Sequence, residues 1–176
     1  MDQKNWMEEM AKQALTAQVL ETNQYTEKYG LVLREEDAAL LAEVRADVLR
    51  EERRVEFGQS ILPKIIYAFC DSSYIYQDNY CESMARLQEI FFRYKNEMLD
   101  EITDDELLEF MREQFENVCR GDFNYLEGTC LELFAQAIRA GYSGYQETEG
   151  QGVFEEVDIV RRWDRGLYLE ALMDLF

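Results

Sequence analysis

Residues 79–99 read NYCESMARLQEIFFRYKNEML. Large apolar and aromatic side chains recur in this stretch at alternating steps of four and three residues: Tyr80, Met84, Leu87, Phe91, Tyr94 and Met98. This spacing places them on one face of an α-helix, as a heptad seam that packs against neighbouring helices at a shallow angle. The seam therefore predicts a long helix over 79–99 within a helical bundle.

The segment before this helix is apolar on nearly every side. Residues 61–71 read ILPKIIYAFCD, and Ser60 stands in a position to cap the helix. Pro63 falls in the first turn, where the missing N–H of proline costs little. A helix with so little polar face is usually buried centrally. We therefore expect 61–71 to lie at the centre of the core, with 79–99 packed beside it.

The rest of the chain also shows helical patterns. They predict helices over 5–21, with a short continuation to Tyr29, over 35–55, from Thr103 to about 119, and from Asp122 or Asn124 to about 140. In the first of these, the expected inner face carries Trp6, Met7, Met10, Ala14 and Ala17. In the second it carries Leu41, Val44, Val48 and Val55. Thr103 and Glu106 match a capping box, and a β-strand fits only residues 30–33.

Chain breakers are rare, which favours long helices over β-structure. One proline and nine glycines are too few for the turns of a β-sandwich or barrel. Four of those glycines fall in residues 141–152, GYSGYQETEGQG, which we predict to be a loop before a last helical segment over 154–175. The predicted fold is all-α: one domain over 1–176, built as an irregular bundle of six or seven helices.

The charge of the chain restricts its partners. Asp and Glu number 37 against 18 Lys and Arg, a formal net charge of −19. Such a surface repels nucleic acid and anionic membranes and favours a basic protein partner. We find neither a run of ~20 apolar residues nor an apolar signal core at the N-terminus. We therefore expect a cytoplasmic protein whose four cysteines are free thiols.

The chain contains no histidine, which removes many enzyme classes. Ser-His-Asp and Cys-His catalysis both need an imidazole base. Glu-x-x-His di-iron sites and His-Glu-x-x-His zinc sites need it as a ligand. Glycine-rich phosphate loops are also missing from the sequence. We predict no catalytic residue, metal ligand or cofactor, and a non-enzymatic function is preferred.

Tyrosines gather around the turn that joins the two central helices. Tyrosine combines a large ring with a polar tip and is enriched in interface hot spots. With neighbouring polar residues, these tyrosines form a predicted interaction site of seven members: Tyr67, Asp71, Tyr74, Tyr76, Asp78, Asn79 and Tyr80. The alternative interpretation is that the rings fill the edge of the core while their hydroxyls reach water.

Two other functions compete with a protein-interaction module. The first is a carboxylate enzyme that uses Mg²⁺ or Mn²⁺, because residues 104–109, DDELLE, superficially resemble the acidic motif of terpenoid synthases. Acidic residues in a first helical turn are equally ordinary caps. The second is an acidic mimic of nucleic acid, which predicts carboxylates in rows at phosphate-like spacing.

The four cysteines form two pairs with the same spacing. Cys70 and Cys81 are eleven residues apart, and so are Cys119 and Cys130. An aromatic residue follows the first cysteine of each pair at +4, and a tyrosine follows at +6. The pattern is consistent with two duplicated helical hairpins, or with coincidence among core positions. Structural zinc prefers much shorter cysteine spacings.

Several blocks of residues resemble an uncharacterised bacterial domain-of-unknown-function family of small acidic helical proteins. They are 54–58 (RVEFG), 65–72 (IIYAFCDS), 77–80 (QDNY), 87–91 (LQEIF) and 104–107 (DDEL), and the resemblance spans roughly residues 16–140. It implies a bacterial cytoplasmic protein and brings no activity, cofactor or catalytic residue.

Overall fold

The computed structural model describes residues 3–56 and 59–141. All regular structure in these residues is helical, which confirms the predicted all-α bundle. The α-helices are α1 (Gln3–Glu21), α2 (Asn23–Thr26), α3 (Glu35–Glu51), α4 (Leu62–Phe69), α5 (Tyr80–Glu97), α6 (Asp104–Asn117), α7 (Phe123–Tyr125) and α8 (Glu132–Arg139). Glu27–Tyr29 and Gln77–Asn79 are 3₁₀ turns, and Leu126–Leu131 is a π-helical turn.

The chain divides into two compact units, Met1–Phe92 and Arg93–Phe176. Helix α5 contributes residues to both. The organisation of 1–176 as one domain stays a prediction. The predicted loop over 141–152, beyond Gly141, and the predicted helical segment over 154–175 lie outside the described residues.

Helix α4 is the apolar centre of the first unit, as predicted. Its apolar residues Leu62, Ile65, Ile66 and Phe69 are completely buried. The Leu62 N–H donates to the Ser60 hydroxyl at 3.2 Å, so Ser60 does cap the helix. Only one side of α4 reaches solvent, and it carries Lys64 and Tyr67.

The heptad seam of α5 is buried along its whole length. Every one of its six members is at most 1% exposed: Tyr80, Met84, Leu87, Phe91, Tyr94 and Met98. The prediction for 79–99 is therefore confirmed, with the helix beginning at Tyr80 and ending at Glu97. The seam places one buried tyrosine in each unit.

The expected inner face of α1 is wrong. Trp6, Met7 and Met10 are about half exposed, whereas Leu15 and Val19 are buried. Helix α1 packs on α3 through its C-terminal half, where the larger aliphatic side chains lie. The short alanines predicted to face inward bury little apolar area, so they do not set the helix orientation.

Helix α3 ends at Glu51, earlier than the predicted residue 55, and Val55 is 71% exposed. The reason lies in Glu56, which is nearly buried. Its carboxylate forms an ion pair with Arg45 and accepts the Ile61 N–H at 2.7 Å. These bonds turn the chain toward α4, and Arg53 adopts a left-handed conformation at φ 56° to allow it.

Residues 31–34 are extended but do not form the predicted strand with any described residue. Their backbone groups are bonded by side-chain amides instead. Asn23 donates to Leu33 O and accepts Leu33 N–H, each at 2.8 Å, and Gln77 does the same for Val32. The alternation expected of a strand is present, since Leu31 and Leu33 are buried while Val32 is exposed.

The second unit packs α6 against the segment that contains the π-helical turn and α8. Phe110 and Phe134 are stacked with ring centroids 3.8 Å apart and are both buried. Thr103 caps α6 by accepting the Glu106 N–H at 3.2 Å, as predicted. The Glu106 carboxylate accepts the Thr103 hydroxyl rather than a backbone N–H, so the reciprocal half of the capping box differs.

Candidate functional site

Three tyrosine rings of the first unit lie together at the surface, with Tyr25 in contact with the other two. Tyr25 meets Tyr29 edge-to-face with ring centroids 6.0 Å apart, and it meets Tyr67 in the same manner at 5.4 Å. Each ring is between 42% and 47% exposed. We call these three residues the tyrosine cluster. Edge-to-face contacts hold the rings in fixed orientations, so the cluster presents a stable aromatic surface to solvent.

A lysine ammonium group lies over two rings of the tyrosine cluster. The Lys28 ammonium lies 4.0 Å from the centroid of the Tyr25 ring and 5.2 Å from that of Tyr29. The pKa of Tyr29 is raised by its hydrogen bond with the Tyr25 hydroxyl and, more weakly, by neighbouring charges that include Asp71.

Tyr80 belongs to the predicted site but lies in the core. Its side chain is completely buried, and burial raises the pKa of its phenol to about 12. The Thr22 and Thr26 hydroxyls approach the phenol and oppose that rise. No group among the described residues meets hydrogen-bond geometry with the Tyr80 hydroxyl. Tyr80 is thus part of the packing under the predicted site, without a face in solvent.

The loop between α4 and α5, residues 70–79, is held by its own side chains. Asn79 accepts the Tyr76 N–H at 2.9 Å and donates to Tyr74 O at 3.0 Å. Ser72 accepts the Tyr74 N–H at 3.2 Å. Side chains of this kind replace secondary structure as partners of the backbone. The loop therefore has a defined conformation, in which Tyr76 is 59% exposed.

Gln77 joins this loop to residues 31–34. Its amide bonds both backbone groups of Val32 at 2.8 Å. The 3₁₀ turn Glu27–Tyr29 comes directly before 31–34 and ends at Gly30, whose φ of 78° is left-handed and favours glycine. Two segments far apart in sequence are thereby fixed to the same region, and each contributes exposed tyrosines.

The seven residues of the predicted site do not share one setting in the structure. Tyr67 belongs to the tyrosine cluster, Asp71 is exposed four residues after it, and Tyr80 is completely buried. Tyr74 and Asn79 are half-buried in the loop, and Tyr76 and Asp78 are exposed there. The prediction that these residues bind a partner stays a prediction.

Sequence reasoning missed Tyr25, Tyr29 and Lys28. The signal was present, since tyrosines four residues apart share a helix face and Lys28 falls between them. The spacing of these tyrosines did not lead to a predicted site, because the stretch follows the end of α1 and carries no long apolar stripe. The predicted continuation to Tyr29 agrees with the structure, in which the left-handed Gly30 ends the 3₁₀ turn Glu27–Tyr29.

Two acidic residues in first helical turns have structural partners, and one of them, Asp104, belongs to the stretch considered for metal binding. Asp104 lies 2.9 Å from the Lys95 ammonium, which is buried and also donates to Ile102 O. Asp37 accepts the Arg34 N–H at the start of α3. Within 3–56 and 59–141, we found no group of three or more His, Cys, Asp or Glu side chains placed to hold a metal ion.

The two cysteine pairs differ in their contacts. Cys119 and Cys130 are buried with their sulfur atoms 3.5 Å apart. The Cys70 thiol lies 3.6 Å from Tyr67 O, whereas that of Cys81 lies 3.8 Å from Asp37 O. Both pairs sit at a helix–turn–helix junction as predicted, but only the second shows a sulfur–sulfur contact among the described residues.

No described helix is both long enough and apolar enough to cross a lipid bilayer. Comparison with curated proteins found no match. Comparison with solved structures found none either. A family model, described as Family of unknown function (DUF6323), matches residues 18–144. That range includes the tyrosine cluster and the α4–α5 loop. Because the match covers more than half of the chain, the protein belongs to this family of unknown function.

Proposed function

We propose that this protein is a non-enzymatic interaction module of the cytoplasm, which binds a basic protein partner through the tyrosine cluster and the exposed part of the α4–α5 loop. The observation that carries the proposal is the edge-to-face contact of Tyr25 with both Tyr29 and Tyr67 at the surface. Exposed rings with fixed orientation provide contact area at a low cost in side-chain entropy.

Charge supports a basic partner over a neutral one. The net charge of −19 attracts cationic proteins over a distance and speeds their association. In the segments that carry these tyrosines, the exposed acidic residues Glu27, Asp71 and Asp78 outnumber the exposed lysines Lys28 and Lys64. Tyrosine also suits such a partner, because arginine and lysine bind to the faces of aromatic rings.

The rigidity of the surface supports binding with little rearrangement. Asn79 and Gln77 fix the loop, and the buried residues of α4 support Tyr67 from behind. A surface that is already ordered loses less conformational entropy when a partner docks. No comparable observation favours the carboxylate enzyme or the nucleic-acid mimic.

The test is capture of a partner from lysate of the source cells by the tagged full-length chain, at low and at high salt. The test variant carries Tyr25→Ser and Tyr67→Ser, and the matched control carries Tyr125→Ser, which alters a similarly exposed tyrosine in the second unit. The expected partner is stoichiometric, has a basic segment, and is lost at high salt and with the double variant only. Retention by the double variant, or equal loss with Tyr125→Ser, would refute the proposal.

A further inference from the structure

The faces of the Tyr25 and Tyr29 rings form a corner around a single cation. The ring planes are inclined by 60°, and the Lys28 ammonium lies within 5.2 Å of both centroids. The Tyr67 ring contacts the Tyr25 ring edge-to-face, with the two ring planes inclined by 79°. Aromatic rings set at an angle around an ammonium group are the arrangement that proteins use to recognise alkylammonium ligands.

Lys28 is a replaceable occupant of this corner. Both it and the two rings are exposed, and within the described part of the chain its ring contacts are with neighbours inside one helical turn. An exposed cation–π contact is weak and is readily exchanged for a similar one. The net charge of −19 favours any cation there, whether it comes from this chain or from another.

We infer that the Tyr25–Tyr29 corner is the binding site for a lysine or arginine side chain of the partner, and that Lys28 fills the site as an internal competitor until the partner displaces it. This inference rests on the proposed function for the identity of the ligand. It adds that Lys28 lowers the affinity of the protein for its partner. Removing the Lys28 ammonium is therefore expected to strengthen binding, although it also removes a contact within the protein.

The first experiment titrates the purified full-length chain with tetramethylammonium chloride at constant ionic strength, following the ring protons of Tyr25 and Tyr29 by NMR. Three variants are compared with the wild type. Lys28→Ala empties the corner, and Lys28→Arg keeps a cation there. Arg50→Ala removes one exposed positive charge elsewhere in the first unit and so controls for net charge.

We expect Lys28→Ala to bind tetramethylammonium about two- to fivefold more tightly than the wild type, as the loss of one exposed cation–π competitor implies. Lys28→Arg and Arg50→Ala should stay close to wild type. Circular dichroism confirms that each variant is folded. Equal affinities for Lys28→Ala and Arg50→Ala, or shifts confined to other residues, would overturn the inference.

Repeating the lysate capture with Lys28→Ala separates this inference from the proposed function. Stronger retention of the same partner would support both. A partner that depends on Tyr25 and Tyr67 but not on Lys28 would leave the proposed function standing and overturn the competitor role. Tetramethylammonium binding at the corner without any captured partner would support the cation site and count against the proposed function.

Discussion

The two units place their aromatic residues differently. In the first unit, Tyr25 contacts Tyr29 and Tyr67 at the surface, where each of the three is 42–47% exposed, whereas in the second unit Phe110 and Phe134 stack inside the core. Ring contacts in a core mainly stabilise the fold. Ring contacts at a surface keep the rings available to another molecule. The difference indicates that the first unit is where recognition should be sought.

A second contrast concerns the two buried tyrosines of the α5 seam. The Tyr94 hydroxyl, in the second unit, donates to Glu127 O and contacts the Glu132 carboxylate. Within the described residues, the Tyr80 hydroxyl in the first unit has no partner in hydrogen-bond geometry. The carbonyl that Tyr94 binds belongs to the π-helical turn, where the ordinary helical ladder is interrupted. Tyr94 therefore supports local backbone structure, and Tyr80 contributes its ring alone.

The largest expected effect is on stability in the second unit. Phe134→Ala should lower the free energy of unfolding by about 3–5 kcal/mol, because it leaves a cavity beside Phe110. Tyr25→Ala should lower it by about 1–3 kcal/mol, because it removes two exposed ring pairs worth about 0.5–1.5 kcal/mol each. Urea unfolding followed by circular dichroism measures both. Equal losses would show that the tyrosine cluster is part of the core and would remove the contrast.

Alkaline pH should reveal the burial of Tyr80. Its pKa is raised to about 12 in the folded state, against about 10 when unfolded. The folded protein then holds a proton that the unfolded chain has lost. The resulting stabilisation is complete below pH 10 and disappears as the pH rises toward 12, an effect of up to about 3 kcal/mol.

Tyr80→Phe should remove this part of the pH dependence, while the exposed control Tyr76→Phe should keep it. Urea unfolding at pH 9 and pH 11 tests the pair. The pKa of Tyr94 is also raised by burial, so some dependence persists in both variants. Identical pH profiles for Tyr80→Phe and Tyr76→Phe would contradict the account of Tyr80.

At neutral pH the two buried tyrosines should respond differently to loss of the hydroxyl. Tyr94→Phe leaves the Glu127 carbonyl without its donor and should cost about 1–3 kcal/mol. Tyr80→Phe removes a buried hydroxyl that makes no well-formed bond, and should change stability by less than about 1 kcal/mol, in either direction. A larger cost for Tyr80→Phe would mean that the Thr22 and Thr26 hydroxyls bind it firmly.

The smallest expected effect compares the two cysteine pairs. Oxidised glutathione should link Cys119 to Cys130 through a mixed disulfide, with two molecules of reduced glutathione released and the protein lighter by two hydrogens. The reaction should be slow, because the hydrogen bond that the Cys119 thiol shares with Cys130, together with burial, raises the pKa of Cys119. Peptide mapping of the native protein measures it, and a Cys70–Cys81 bond formed first would contradict the observed contacts. A duplicated origin of the two pairs stays a prediction.

The sequence alone predicted the features that depend on periodicity. It did not predict the places where a side chain, rather than the backbone, forms the hydrogen bonds to a backbone segment. The α5 seam, the Thr103 cap, the Ser60 cap and the burial of α4 follow from spacing and capping chemistry. The end of α3 did not, because it depends on Glu56 reaching both Arg45 and Ile61. Likewise, the bonding of Val32 by Gln77 joins residues 45 positions apart.

The candidate site was predicted in part for the same reason. Tyr67 and Asp71 are close in sequence and were found together. Tyr25 and Tyr29 reach them only because the chain turns at Gly30 and is held there by Asn23 and Gln77. Contacts over such a distance in sequence leave no periodic signal in a single chain.

The central claim is that partner recognition lies on the exposed tyrosines of the first unit. The most direct test replaces one tyrosine at a time with the photo-cross-linking residue p-benzoylphenylalanine, at Tyr67, at Tyr76 and, as a control, at Tyr125. All three positions are at least 40% exposed. After irradiation in lysate, the account predicts one cross-linked partner from Tyr67 and Tyr76 and none from Tyr125. A partner cross-linked from Tyr125 alone would contradict it.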